Sequence, residues 1–275
     1  MRVVFLGTGT SHGIPVIGCE CSVCTSEDPR DNRYRSSLYL ESTEAGAHQS
    51  THIVIDVGPE FRLQAIRAHI TQIDAILLTH AHADHLHGLD DIRPFTKERA
   101  LPIYANRPTI EELRHRFRYL FKTTQEGGGK PKVAPQVCTA EPFRLGAFTI
   151  VPLPLFHGEL PILGWQVWEN RKSLTYVTDA SHIPPQTLEK CTGTDCLVIG
   201  ALRQRPHSTH FTFDQALELV ATIKPRRAYI THLCHEHSHK EITEFFSEKR
   251  KGYLAGAGGF PETLTPAYDG LTLAM

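Results

Sequence analysis

The sequence predicts an α/β fold with a metal-dependent site at one edge of a sheet. Three observations carry this reading. Short apolar runs alternate with segments of helical spacing along the 275 residues. One run, Ile73 to Leu78, passes into Thr79-His80-Ala81-His82-Ala83-Asp84-His85, so four metal-capable side chains fall within six positions. Later runs also end in an imidazole or a carboxylate, at His157, Asp179 and His232. Ligands at strand C-termini converge on one sheet edge, where α/β folds build their sites. Imidazole with carboxylate suits Zn, Mn or Fe rather than Ca or Mg. Six or seven such ligands are too many for one tetrahedral ion and fit two.

Composition bounds the rest. A net charge of −1 with 40% hydrophobic residues suits one soluble domain over 1–275. The near-neutral balance argues against a general nucleic-acid binder. No run of about 18 apolar residues exists to span a membrane. The start, Met1 to Gly7, lacks a signal-peptide core and reads as a strand. Seven Cys, an odd number, favour reduced thiols and metal binding over a disulfide framework. The expected compartment is the cytoplasm. No periodic face marks an oligomer interface, so a homodimer stays open.

The elements follow in order. Arg2 to Leu6 is a strand, and Gly7-Thr8-Gly9-Thr10-Ser11-His12-Gly13 is a turn that permits close backbone approach. It has neither a P-loop ending nor GxGxxG. Cys19-Glu20-Cys21-Ser22-Val23-Cys24 gathers three thiols. Cys21 and Cys24 have the spacing that presents two thiolates to a tetrahedral metal, with a fourth ligand from elsewhere. Leu38 to Leu40 and His52 to Val57 are strands joined by a polar loop, Glu41 to Thr51. Asp56, at a strand end, is placed to orient the metal loop from behind. Glu60 to His69 has helical spacing. Leu86 to Arg93 is a short helix ended by Pro94, and Pro102 to Ala105 a strand.

Thr109 to Phe121 is a helix capped by Thr109, and its Arg114, Arg116, Arg118 and Lys122 offer a polyanion contact. Gly127-Gly128-Gly129-Lys130-Pro131 is a flexible loop suited to a lid. Phe148 to Leu155 is a strand before His157. Trp165 to Glu169 and Leu174 to Thr178 form a hairpin around Asn170-Arg171-Lys172. Leu197 to Ile199 and Arg227 to Ile230 are strands, and Phe213 to Ile223 and Lys240 to Arg250 helices. Leu271 to Ala274 closes the chain.

The His80–His85 run, with His157, Asp179 and His232, resembles the metallo-β-lactamase superfamily over nearly the whole chain. The resemblance implies a four-layer αββα sandwich. It places one ion on His80, His82 and His157, a second on Asp84, His85 and His232, and Asp179 between them. The Gly7-Thr8-Gly9-Thr10 start, the Cys19/Cys21/Cys24 cluster and His235 are similar to the PhnP-type (cyclic phosphate) phosphodiesterases. That implies a structural zinc on Cys19, Cys21, Cys24 and His235, with Cys234 competing for the fourth position. His210 would protonate the leaving alkoxide, worth roughly 10²–10⁴-fold. His207 is its rival, and Arg203 or Arg205 would clamp phosphate oxygens.

The function implied is a dimetal hydrolase of a small or cyclic phosphodiester, using two Zn or Mn ions, or Fe, besides the structural zinc. A metal-bridging hydroxide attacks phosphorus; Asp84, beside that hydroxide, and His210 are the catalytic pair. Two alternatives share the chemistry. A tRNA 3′-processing endonuclease is disfavoured by the near-neutral charge and the lack of a long basic arm. A lactam hydrolase would need an export signal, and a thioester hydrolase has no evident need of His210 or the thiolates. A non-catalytic metal carrier is disfavoured by the full ligand set.

Overall fold

The computed structural model describes residues 1–43, 50–122, 129–254 and 261–275, with only the backbone at 251–254. Strands β1 (Arg2–Gly7), β2 (Ser37–Glu41), β3 (His52–Ile55), β4 (Ala75–Leu77), β5 (Leu101–Ala105) and β6 (Val133–Val137) follow one another across a first sheet. A second sheet takes β7 (Phe143–Leu145), β8 (Phe148–His157), β9 (Leu160–Glu169), β10 (Lys172–Val177), β11 (Cys196–Gly200), β12 (Arg227–Thr231) and β13 (Thr263–Pro266). The chain then returns to lay β14 (Thr272–Ala274) beside β1, giving two seven-stranded sheets. Each sheet is antiparallel where strands are joined by hairpins, and parallel from β3 to β6 and from β10 to β13.

Period-two burial explains the layers. Val3, Phe5, Ile53, Ile55 and Leu77 face Phe148, Trp165, Tyr176, Val198 and Tyr229 in a core between the sheets. The alternate residues of the first sheet, Val4, Leu6, Val54 and Ile76, pack outward on α1 (Phe61–Arg67), α2 (Ala83–Leu86) and α3 (Arg107–Arg116). Those of the second, Leu153, Val177, Leu197, Ile199 and Ile230, pack on α6 (Phe213–Ile223) and α7 (His239–Leu254), with α5 (Pro185–Cys191) beside them. Helices on both outer faces of two mixed sheets make the αββα sandwich.

Several boundaries differ from the sequence reading. The helix over 109–121 starts earlier, because Asn106 rather than Thr109 is its cap: Asn106 Oδ1 accepts the Thr109 N–H at 3.0 Å. It also breaks at Phe117, leaving α4 (Arg118–Phe121) as a separate turn. The segment over 86–93 divides into α2 and a 3₁₀ stretch, Leu89–Thr96, that runs through Pro94. β6, β7, β13 and the first half of β9 carried no strand signal, since Pro135, Pro161, Pro266 and short length hide them. Gly127 and Gly128 of the proposed lid, and residues 44–49 of the polar loop, lie outside the described residues. No helix among the described residues is long and apolar enough to cross a membrane.

The sandwich core sets the stability. Phe5 has no exposed surface and packs on Tyr229 with ring centroids 5.7 Å apart. Phe5→Ala is expected to cost about 3–5 kcal/mol, read as a lower urea midpoint at unchanged m-value.

Candidate metal centre

Both sheets deliver side chains to one edge. From the first come His80, His82, Asp84 and His85, beyond β4 and into α2. From the second come His157 at the end of β8, Asp179 beyond β10 and His232 beyond β12. Asp179 and His232 have φ of 55° and 57°, and Asp56, beyond β3, has 61°. Left-handed backbone at a non-glycine residue costs on the order of 1–3 kcal/mol and persists where packing over-determines it. Here it turns each chain sharply as it leaves its strand.

The side chains meet closely. Asp84, His85, Asp179 and His232 bring one ligand atom each within 4.8 Å of one another, and so do His157, Asp179 and His210. His85 Nε2 lies 3.2 Å from Asp84 Oδ2 and 3.3 Å from Asp179 Oδ1. His232 Nδ1 is 3.1 Å from Asp179 Oδ1, and His80 Nε2 is 4.0 Å from Asp179 Oδ2. The rings of His80 and His82 are 4.5 Å apart, and those of His82 and His157 5.1 Å. All of these residues are buried except His210, which is half-buried, and His82, which is exposed.

Hydrogen bonds from behind choose the tautomers. Asp56 has no exposed surface and accepts from His85 Nδ1 at 2.7 Å, and from Thr79 N and Thr79 Oγ1 at 2.8 Å each. Since the Thr79 hydroxyl donates to Asp56, it accepts from His80 Nδ1 at 2.9 Å. His157 Nδ1 donates to the Thr209 carbonyl at 2.9 Å. Each of these three rings therefore turns Nε2 rather than Nδ1 toward the cluster. His80 Nε2 and His85 Nε2 are buried without any hydrogen-bond partner. Buried polar atoms are rarely left so, and orphaned imidazole nitrogens facing carboxylate oxygens are the signature of a ligand set. The cluster fits divalent metal ions.

The charges agree. Burial would depress the His85 pKa, yet Asp179, Asp84 and Asp56 outweigh it and raise it well above the usual range. Burial would likewise raise Asp179, but His232 and His85 hold it well below the carboxylate range. The cluster thus recruits positive charge to its carboxylates, as a cation would supply.

The other predicted residues divide. His210 lies against the cluster, its ring 4.8 Å from that of His157 and 4.9 Å from that of His232. Burial, then His232, pushes its pKa down to about 3. His207 stands farther out, exposed, with its ring 5.0 Å from that of His210. Arg203 and Arg205 both pair with Glu236, Arg203 through Nη1 with its buried Nε left without a partner. The Gly7–Gly13 turn makes the predicted close approach, but to protein. A Cβ on Gly9 would lie 2.6 Å from the Arg33 carbonyl, and the turn exchanges hydrogen bonds with Leu233.

A second cluster lies nearby. His235 Nδ1 is 3.4 Å from Cys19 Sγ and 3.5 Å from both Cys21 Sγ and Cys24 Sγ. Three thiols and an imidazole fit a tetrahedral zinc. Cys234 is buried and its thiol is not in this group.

Supporting residues were partly illegible. Thr10 Oγ1 and Ser36 Oγ each lie 3.2 Å from a nitrogen of His232. The fully buried Arg33 binds the carbonyls of Cys234 and His237 at 2.6 and 3.1 Å. Thr79 could have been suspected from its place between the strand and His80; Ser36 and Arg33 carry no local signal.

The beta-lactamase superfamily domain matches residues 51–233. The crystal structure of a new diphosphatase from the PhnP family superposes with a TM-score of 0.83 at 35% identity, covering 100% of this chain and 97% of that one. The chain belongs to the PhnP family of the metallo-β-lactamase superfamily. An octanoyltransferase of Porphyromonas gingivalis is 38% identical over 236 residues, which is 86% of this chain and 46% of that protein. The chain spans about half the length of the curated relatives it matches. Human tRNase Z, short form, shares the fold, with a TM-score of 0.66 at 18% identity over 100% of this chain and 99% of that one. Superfamily, PhnP relationship and His/Asp cluster together support a metal-dependent hydrolase.

The Asp56 bonds generate a test. Asp56→Ala leaves the His85 and Thr79 donors unpaired, and is expected to weaken divalent-metal affinity roughly 10–100-fold in chelator competition.

Proposed function

We propose that this chain is a dimetal phosphodiesterase acting on a small or cyclic phosphodiester, as a single hydrolase domain over 1–275. The observation that carries the reading is the pair of orphaned Nε2 atoms, His80 and His85, aimed at Asp179 and Asp84. His80, His82 and His157 would hold one ion, Asp84, His85 and His232 the other, with Asp179 between them. Zn or Mn, or Fe, suits this donor set. Such a pair supplies an activated water and neutralises charge on the phosphoryl oxygens.

The chain's own residues do the rest. Asp56 and Thr79 hold His80 and His85 in the ligating tautomer. Asp84 orients the second half-site from the first turn of α2. His210 is the candidate to protonate the leaving oxygen, being nearer the cluster than His207. Its low pKa means that this role requires an anionic substrate alongside to raise it. Cys19, Cys21, Cys24 and His235 would hold a structural zinc outside the reaction. The proposed compartment is the cytoplasm.

A second reading has a specific observation behind it. The 35% identical relative is described as a diphosphatase, so a phosphoanhydride is the competing bond. The octanoyltransferase name belongs to a protein of which this chain spans 46%. A panel of bis(4-nitrophenyl) phosphate, cyclic ribose phosphates, a dinucleoside diphosphate, precursor tRNA, a β-lactam and a glutathione thioester separates these readings. Preference for a thioester or a lactam would sink the phosphodiesterase assignment.

Two variants probe the division of labour. His210→Ala is expected to lower diester turnover by roughly 10²–10⁴-fold with metal content intact by elemental analysis; an unchanged rate removes it from the mechanism. Cys21→Ser is expected to lose one metal and lower the melting temperature while the active-site pair stays. Loss of that pair instead would mean the ligands are wrongly divided.

A further inference from the structure

Arg203 and Arg205 each pair with Glu236. Another arginine reaches the metal loop. Arg116, in the last turn of α3, donates from Nη1 to the Ala81 carbonyl at 2.6 Å, midway between His80 and His82. Its Nε donates to Glu112 Oε2 at 3.0 Å. Among the described residues, Nη2 has no hydrogen-bond partner, and the side chain is 34% exposed.

These free N–H groups border open space beside the site. A cavity of about 240 Å³ has His80, Ala81 and His82 as one wall, Pro108, Thr109, Arg116 and the Glu112 carboxylate of α3 as another, and Leu160 at the tip of the β8–β9 hairpin. Its size suits a small substrate group. A guanidinium presents its donors as a planar fork that matches phosphoryl oxygens. Nε and Nη1 are held by Glu112 and the metal loop, so Nη2 is the nitrogen left with its N–H groups for a ligand, pre-oriented without further loss of rotamer freedom.

We infer that Arg116 is a positioning and specificity residue that braces the His80–His82 loop through Ala81 and donates its remaining N–H groups to a phosphoryl oxygen in this cavity. The inference rests on the phosphodiesterase reading above. It names the arginine that sorts phosphoryl substrates from uncharged ones, and gives α3 a duty in the site. A brace alone would account for the Ala81 contact but not for an effect on phosphate affinity.

The test uses the metal-loaded protein, Arg116→Ala and Arg116→Lys, with inorganic phosphate as the calorimetric probe and bis(4-nitrophenyl) phosphate as substrate. Losing a charge-assisted hydrogen bond should weaken phosphate binding and raise KM at least about tenfold in Arg116→Ala, with a smaller change in kcat and unchanged metal content. Arg116→Lys, which keeps the charge and loses the fork, should fall between. Millimolar guanidinium should restore the alanine variant and leave the wild type unaffected. Unchanged phosphate affinity in both variants overturns the inference, and so does metal loss that guanidinium does not reverse. If the wild type binds phosphate yet hydrolyses no diester, the functional reading fails while Arg116 is still judged by phosphate affinity.

Discussion

A carboxylate with no exposed surface anchors this site. Asp56 sits just past β3 in left-handed backbone, and its oxygens take three hydrogen bonds from the neighbouring segment: Thr79 N, Thr79 Oγ1 and His85 Nδ1. A lone buried carboxylate would be expensive to keep ionised; burial does raise its pKa, and His85 pulls it back. Satisfying Asp56 therefore requires the metal loop in one conformation, with His80 and His85 turned so that Nε2 faces outward. Close packing reinforces this, since a Cβ on Gly58 would lie 2.3 Å from the Asp84 carbonyl. The cost of burying Asp56 is what makes the ligand geometry specific.

The site also depends on the two sheets being docked. The His80–His85 loop belongs to the first, while His157, Asp179 and His232 belong to the second. Neither sheet alone gathers the whole cluster: the first supplies four of the seven side chains and the second three. The contact that joins them here is backbone as well as core: Leu163 N of β9 donates to the Thr79 carbonyl at 2.9 Å. Sandwich packing around Phe5, Trp165 and Tyr229 is thus coupled to the distance between His80 and Asp179, and core changes should be felt at the site.

How much of this was legible follows from the physics of each signal. Strand-end imidazoles and carboxylates are readable because an apolar run and an abrupt change of residue type are both local in sequence, so His80, His157, Asp179 and His232 stood out. Asp56 was readable for the same reason. Ser36, Thr10 and Arg33 were not, because their partners lie 196, 222 and 201 residues away and nothing local marks them. The Glu236 that pairs with Arg203 and Arg205 was not legible either, because it lies 33 and 31 residues away in sequence. Strands β6 and β9 were obscured because proline suppresses a local strand signal even where pairing partners on either side stabilise the strand.

The cysteine cluster draws its importance from where His235 lies in the chain. It is three residues beyond His232, so whatever fixes one constrains the other. Arg33 adds a second restraint, with its guanidinium buried between Asp31 at 3.0 Å and the carbonyls of Cys234 and His237. Burial alone would lower the Arg33 pKa, and Asp31 opposes that. A buried pair of this kind adds little net stability but resists being broken, since either partner alone is an uncompensated charge. The loop from His232 to His237 is therefore held from three sides: by Leu233 on the glycine-rich turn, by Arg33 and by the Cys19–Cys24 loop. Holding His232 in left-handed backbone against its intrinsic preference needs that much support. On this view the N-terminal loop, remote in sequence from every strand-end ligand, is part of what positions the last of them.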